Sequence, residues 1–191
     1  MANNCVISSG LTLNSCVNNI AGISDLWVLT TTGTSISLES ITYGGSNGEV
    51  SALSGSTSGE FKKIDLVRNS SAVLSEEVNV VTSSLSFTFV PTLTFQMPGW
   101  NQVYTDLYEQ LVKSVGSVFI VKLKSGKYFL VSPSGMYISA ATINSGSVPG
   151  DAQQYELTFT GDEIISVPEI QVSSTLATFL SGSNLSVDRE S

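Results

Sequence analysis

A chain of 191 residues, 41% of them apolar, is long enough for one domain with a sizeable core. Only 13% are charged, against about 25% in an ordinary soluble domain, yet no apolar run approaches the roughly 20 residues of a membrane helix. The formal net charge of −8 argues against a protein that grips nucleic acid by its phosphates, and the absence of histidine removes the commonest general base and metal ligand.

Residues 1–22 are rich in Asn, Ser and Gly and read as short strands or an extended arm. Residues 25–32 read as a strand centred on Trp27, whose indole is assigned to packing rather than to stacking on a ligand. Residues 34–43 alternate Ile36 and Leu38 against Ser35, Ser37 and Glu39, with a slip near Ser40. The next 17 residues, Gly44–Glu60, hold five Gly and five Ser and are expected to form one long flexible loop. Loops of that length in compact domains are often functional, and this one carries no catalytic group. Contact with a partner is therefore expected of Gly44, Gly45, Asn47, Gly48, Glu49, Ser54, Gly55 and Gly59, the alternative being a plain insertion.

Residues 61–69 and 72–82 follow as strands, the second expected to kink near Glu76-Glu77. Residues 84–96 give the clearest strand signal. Leu85, Phe87, Phe89, Leu93 and Phe95 share one face, and Pro91 on that face marks an edge or bulge. Residues 101–116 form the one convincing helix. Tyr104, Leu107, Tyr108, Leu111, Val112 and Val115 recur at helical spacing, Asn101 can cap the first turn, and Gly116 can end the last. Glu109 and Lys113 form a supporting i,i+4 pair. The core face of this helix is assigned to Tyr104, Leu107, Leu111 and Val115, seated on strands carrying Phe87, Phe89, Phe119 and Val121.

After the helix, residues 117–124 and 127–132 flank a tight turn at Ser125-Gly126. Residues 135–143 give another strand, and Tyr155, Leu157 and Phe159 alternate inward in the next. The segment after Pro168 is expected as a last strand or an extended tail. The pattern predicts about nine strands and one helix: a mainly β chain, an antiparallel β-sandwich or open barrel with one flanking helix. Its expected divisions are an arm or first strand over 1–22, the β domain over 23–168 and the closing segment 169–191.

Charge is unevenly spread. Residues 1–61 hold four acids and no base, Lys113, Lys122, Lys124 and Lys127 cluster in an acid-free stretch, and from Asp151 onward seven acids face only Arg189. This distribution permits a basic surface on one subunit to meet an acidic one on the next. Cys5 and Cys16 give neither a metal signature nor a disulfide framework, so free thiols and a cytoplasmic origin are the default. The adjacent carboxylates Glu76-Glu77 and Asp162-Glu163 point to opposite strand faces and are assigned to solvated surface. These residues point away from an enzyme, and no metal, cofactor or membrane contact is expected.

A turn at Gly126-Lys127-Tyr128, a Gly/Ser loop over Ser145–Asp151 and the strand Tyr155-Glu156-Leu157-Thr158-Phe159-Thr160-Gly161 follow the helix in a recognisable order. With the opening GLTLNSCVNNIAGISDLWVL, this resembles a family of virion structural proteins from tailed phages of the Bacteroidota, the crAss-like phages among them. The resemblance covers most of residues 11–168 and is densest from 101 to 168. Where that family often carries Gly after the second hairpin strand, this chain has Ser132-Pro133.

The resemblance implies a non-enzymatic subunit, made in the host cytoplasm and built into the virion. Copies would join in six-fold or twelve-fold rings of the tail tube or head–tail neck, stacked on other rings or on tail, neck or portal proteins. DNA would pass through without sequence-specific binding. The alternative reading is a capsid decoration or receptor-binding β module.

Overall fold

The computed structural model describes residues 22–30, 38–44, 48–55, 57–67, 72–82, 86–99, 101–114, 116–146 and 153–190. Trp100, Val115 and the arm expected over 1–22, apart from Gly22, lie outside them, as do Gly45 and Asn47. The strands are β1 (Ile23–Thr30), β2 (Leu38–Gly44), β3 (Glu49–Gly55), β4 (Gly59–Ile64), β5 (Val73–Val81) and β6 (Ser86–Pro98), then, beyond helix α1 (Gln102–Lys113), β7 (Ser117–Leu123), β8 (Tyr128–Asn144) and β9 (Gln154–Thr160). Two short strands, β10 (Glu169–Ile170) and β11 (Leu185–Val187), bracket helix α2 (Leu176–Leu180). The fold is mainly β with a flanking helix, as expected; the sheet is curled and mixed rather than wholly antiparallel, and there is a second helix besides.

The sheet branches at β8. The order β11-β4-β1-β7-β8-β10-β3-β2 uses the first half of β8, while β5-β6-β9 joins its second half. Pairing is antiparallel except between β10 and β3 and between β11 and β4. What the sequence suggests as two strands, 127–132 and 135–143, is one strand of 17 residues. Its change of sheet falls at Ser132 and Gly135, with φ of +49° and +96°.

Two apolar cores lie on opposite faces of β1 and β7. Leu26, Val28, Phe119 and Val121 point into the first, with Leu93, Phe95, Leu157 and Phe159 from β6 and β9. Trp27, Ile120, Leu130 and Phe61 point into the second, closed by Val50, Leu53, Ile170 and α2. Burial on both faces explains why these central strands read as nearly continuous apolar runs.

Helix α1 closes one side of the first core. The Asn101 side chain accepts from Tyr104 N–H at 3.0 Å, and Lys113 reaches Glu109 at 2.8 Å. Leu111 is buried, while Tyr104, Leu107, Tyr108 and Val112 are half-buried against the same core. Phe119 and Val121 share that core, but the expected seat on Phe87 does not exist, since Phe87 is 57% exposed. The β5–β6 hairpin runs on past the end of β9 at Thr160, which carries its tip out of the body.

Four more expectations are revised. Gly44–Glu60 is not one long loop: it holds the end of β2, all of β3 and the start of β4. Ser51 is skipped in the pairing of β3 with β2, so burial falls on Val50 and Leu53, three apart, and the strand alternation is hidden. Pro91 is not on an outer strand but sits one residue past the last β6–β9 pair, Thr92–Thr160, where that ladder needs no donor from it; its carbonyl accepts from Gly161 N–H at 3.1 Å. Strand β5 runs through Glu76-Glu77 in unbroken register. The segment after Pro168 is no free tail: Ile170, Leu176, Leu180 and Leu185 are buried in the second core.

Candidate functional site

The branch β5-β6-β9-β8 is a four-stranded antiparallel sheet whose two faces differ sharply. One face carries Leu93, Phe95, Met97, Leu157 and Phe159 into the first core. The other is a lattice of polar side chains, mostly Thr and Ser, with no cation among them. Thr94 and Thr158 share a hydrogen bond of 3.1 Å, and Thr160 donates to Ser139 at 3.2 Å. Gln96 Nε2 donates to Glu156 Oε2 at 2.9 Å. Strict alternation puts Ser75, Glu77 and Asn79 on this face too, opposite Thr92, Val90 and Thr88. No Lys or Arg lies in β5, β6, β9 or the second half of β8.

Both outer edges of this sheet are unpaired among the described residues: β5 bonds only to β6, and residues 137–144 of β8 bond only to β9. Sheet edges are normally blunted by Lys, Pro, bulges or shortness. Strand β5 has nine residues, no Lys and no Pro. Phe89 exchanges both backbone bonds with Glu163 at 2.8 Å on the side away from β5, so the pair Val78–Phe89 is of the non-hydrogen-bonded kind. The N–H and C=O of Val78 therefore face the open edge. Val78, Val80 and Phe87 are more than half exposed.

At the junction of the two sheets Glu163 is buried, at 5% exposure. It accepts from Ser132 Oγ at 2.7 Å, Ser134 N–H at 2.8 Å and Ser134 Oγ at 3.0 Å. The assignment of Glu163 to solvated surface is thus overturned: the carboxylate clamps the crossover of β8 and holds Ser132 in a left-handed conformation that favours glycine. Glu76 is likewise engaged, by Ser166 Oγ at 2.7 Å and Val167 N–H at 2.8 Å, whereas Glu77 and Asp162 are exposed. Burial, and secondarily the charge of Glu163, pushes the Tyr43 phenol above its usual range. Tyr43, Glu49, Phe129, Val167 and Glu169 line an open groove of about 580 Å³.

The glycines expected to meet a partner divide by position. Gly48 lies in the β2–β3 turn at φ +70°, with open space around it. Gly44 pairs with Glu49 across that hairpin, and Ser54 meets Ser40 at 3.0 Å. Gly55 and Gly59 serve the chain's own packing. A Cβ on Gly55 would stand 2.7 Å from Leu185 Cδ2, and Gly59 pairs with Leu185 in the ladder between β4 and β11. On the helix, Tyr104 donates to Asp65 Oδ2 at 3.1 Å; burial first, then Asp65, raises its phenol.

Among the described residues no group of three or more His, Cys, Asp or Glu is placed to hold a metal ion. No protein-family model, curated protein or solved structure matches the chain. The sheet edges left unpaired among the described residues and the face without cations are signals that pattern alone misses, because both need the strand order.

Proposed function

We propose that this chain is a non-enzymatic virion structural subunit, whose copies join edge to edge into rings of a phage tail tube or head–tail neck that conduct DNA. The observation that carries the reading is the four-stranded sheet with two edges that are open among the described residues and a face rich in Thr and Ser. The edges are different strands, so pairing β5 of one copy with β8 of the next is a head-to-tail contact, the kind that closes into rings. Pairing β5 with itself in full register would set Glu77 opposite Glu77, which disfavours a two-fold dimer. A lumen built from the Thr/Ser face would offer DNA no cation to grip, with Glu77 and Glu156 as its charges.

The test places proline at Val78. This removes an outward N–H and leaves the ladder between β5 and β6 intact. Wild-type protein is expected to form rings or tubes by electron microscopy and light scattering, and Val78→Pro to stay small with an unchanged circular dichroism spectrum. Unimpaired assembly of Val78→Pro would sink the reading. Small discrete oligomers of the wild type would favour a decoration or receptor-binding module.

A further inference from the structure

The edge of β4 is treated differently from those of β5 and β8. It is covered by the strap Asn184–Glu190, whose contacts exceed what a three-residue strand needs for a place in the sheet. Gly59 N–H donates to the Asn184 carbonyl at 3.1 Å, and Asp188 N–H to the Phe61 carbonyl at 2.9 Å. The Asn184 side chain bonds to both the N–H and the carbonyl of Gly55, tying the start of the strap to the end of β3. Leu185 enters the second core through the space left by the missing Gly55 side chain.

At its far end the strap is fastened by one carboxylate. Glu190 Oε1 accepts from Tyr128 OH at 2.9 Å and Leu176 N–H at 2.6 Å, and Oε2 from Ala177 N–H at 2.9 Å. Trp27 Nε1 donates to the Asp188 carbonyl at 3.2 Å. Between these points Arg189 takes a φ of +43°, turning the chain out of strand geometry. The outer edge that the strap presents is therefore limited to Leu185–Val187. The strap pairs with Gly59–Phe61, the first half of β4, so that neither the strap's outer side nor the remainder of β4 offers more than three residues in a row, too short to template another chain.

We propose that the strap is an edge guard with Glu190 as its catch: it keeps a second copy of this chain from pairing along β4. Association is thereby confined to edges that are left open. The inference stands apart from the virion reading, since it concerns the isolated chain and a different edge.

The test uses the full chain with Glu190→Ala and follows hydrogen exchange by mass spectrometry together with sedimentation. Peptides over 59–64 are expected to exchange faster by about tenfold or more, the factor expected when hydrogen bonds to a charged group are lost. Peptides over 92–97 should keep their wild-type rates, and the variant should associate further at high concentration. Since Ser186 and Glu60 are register partners, Ser186→Cys with Glu60→Cys can lock the strap in the same variant, with Cys5 and Cys16 changed to Ser. Oxidation of that pair by oxidised glutathione should abolish the extra association, and reduction should restore it. Unchanged exchange over 59–64 overturns the proposal, as does faster exchange without extra association, or extra association that persists when the strap is locked. Should Glu190→Ala lose protection everywhere, Glu190→Gln, which keeps the side chain's shape without its charge, is measured in its place: faster exchange over 59–64 together with extra association supports the proposal, and the lack of either overturns it.

Discussion

The two apolar cores are built by different means. The first packs helix α1 and the sheet β6-β9 against β1 and β7, through aromatic contacts such as Phe119–Phe159 at 4.9 Å and Phe95–Phe159 at 5.9 Å. Its parts are long and regular, and each would be recognisable alone. The second is closed by pieces that have little structure of their own: the bulged β3, the two-residue β10, the five-residue α2 and the strap. Regular elements can announce themselves, whereas the closing pieces depend on the rest of the fold being in place.

The sharpest way to test that contrast is to cut into each core. Phe159 is fully buried and touches two other rings, so Phe159→Ala should cost about 3–5 kcal/mol in chemical denaturation. Leu111→Ala should cost about 2–5 kcal/mol, being the one fully seated residue of the α1 stripe. Gly55→Ala probes the second core by overpacking. Its Cβ would meet Leu185 at 2.7 Å, for a loss of about 1–3 kcal/mol, concentrated in the strap when followed by hydrogen exchange. If Gly55→Ala is neutral, the second core is looser than described.

The smallest effect concerns Tyr128. Burial, then its bond to Glu190, raises the phenol well above its ordinary value of 10.0. A raised folded value gives stability that is complete below about pH 10 and lost as pH climbs through the folded value. Tyr128→Phe should cost about 1 kcal/mol at neutral pH and flatten the alkaline limb of a stability profile. An alkaline limb of unchanged slope would separate Tyr128 from the strap.

Legibility in the sequence follows the same division. The helix can be read because its apolar residues recur at 3.6 spacing and Asn101 caps it; β6 and β9 can be read because Phe95, Met97, Leu157 and Phe159 alternate strictly. Strand β3 is hidden because the bulge at Ser51 breaks the alternation that would mark Val50 and Leu53 as buried. Its Gly and Ser content suggests a loop, yet Gly55 is there to admit Leu185, a residue 130 positions away (185 − 55). Glu163 looks like surface because nothing local reveals Ser132 and Ser134 as its donors. The open edges are invisible for a related reason: a strand's neighbours, and the lack of them, are properties of the sheet.

Edge-to-edge assembly is tested most directly by hydrogen exchange at β5 and the second half of β8, compared between dilute monomer and assembled protein. Amides of 73–81 and of 137–144 are expected to become protected together on assembly, while those of 59–64 do not change. Protection confined to other elements, with both edges exchanging as fast as in the monomer, would contradict it.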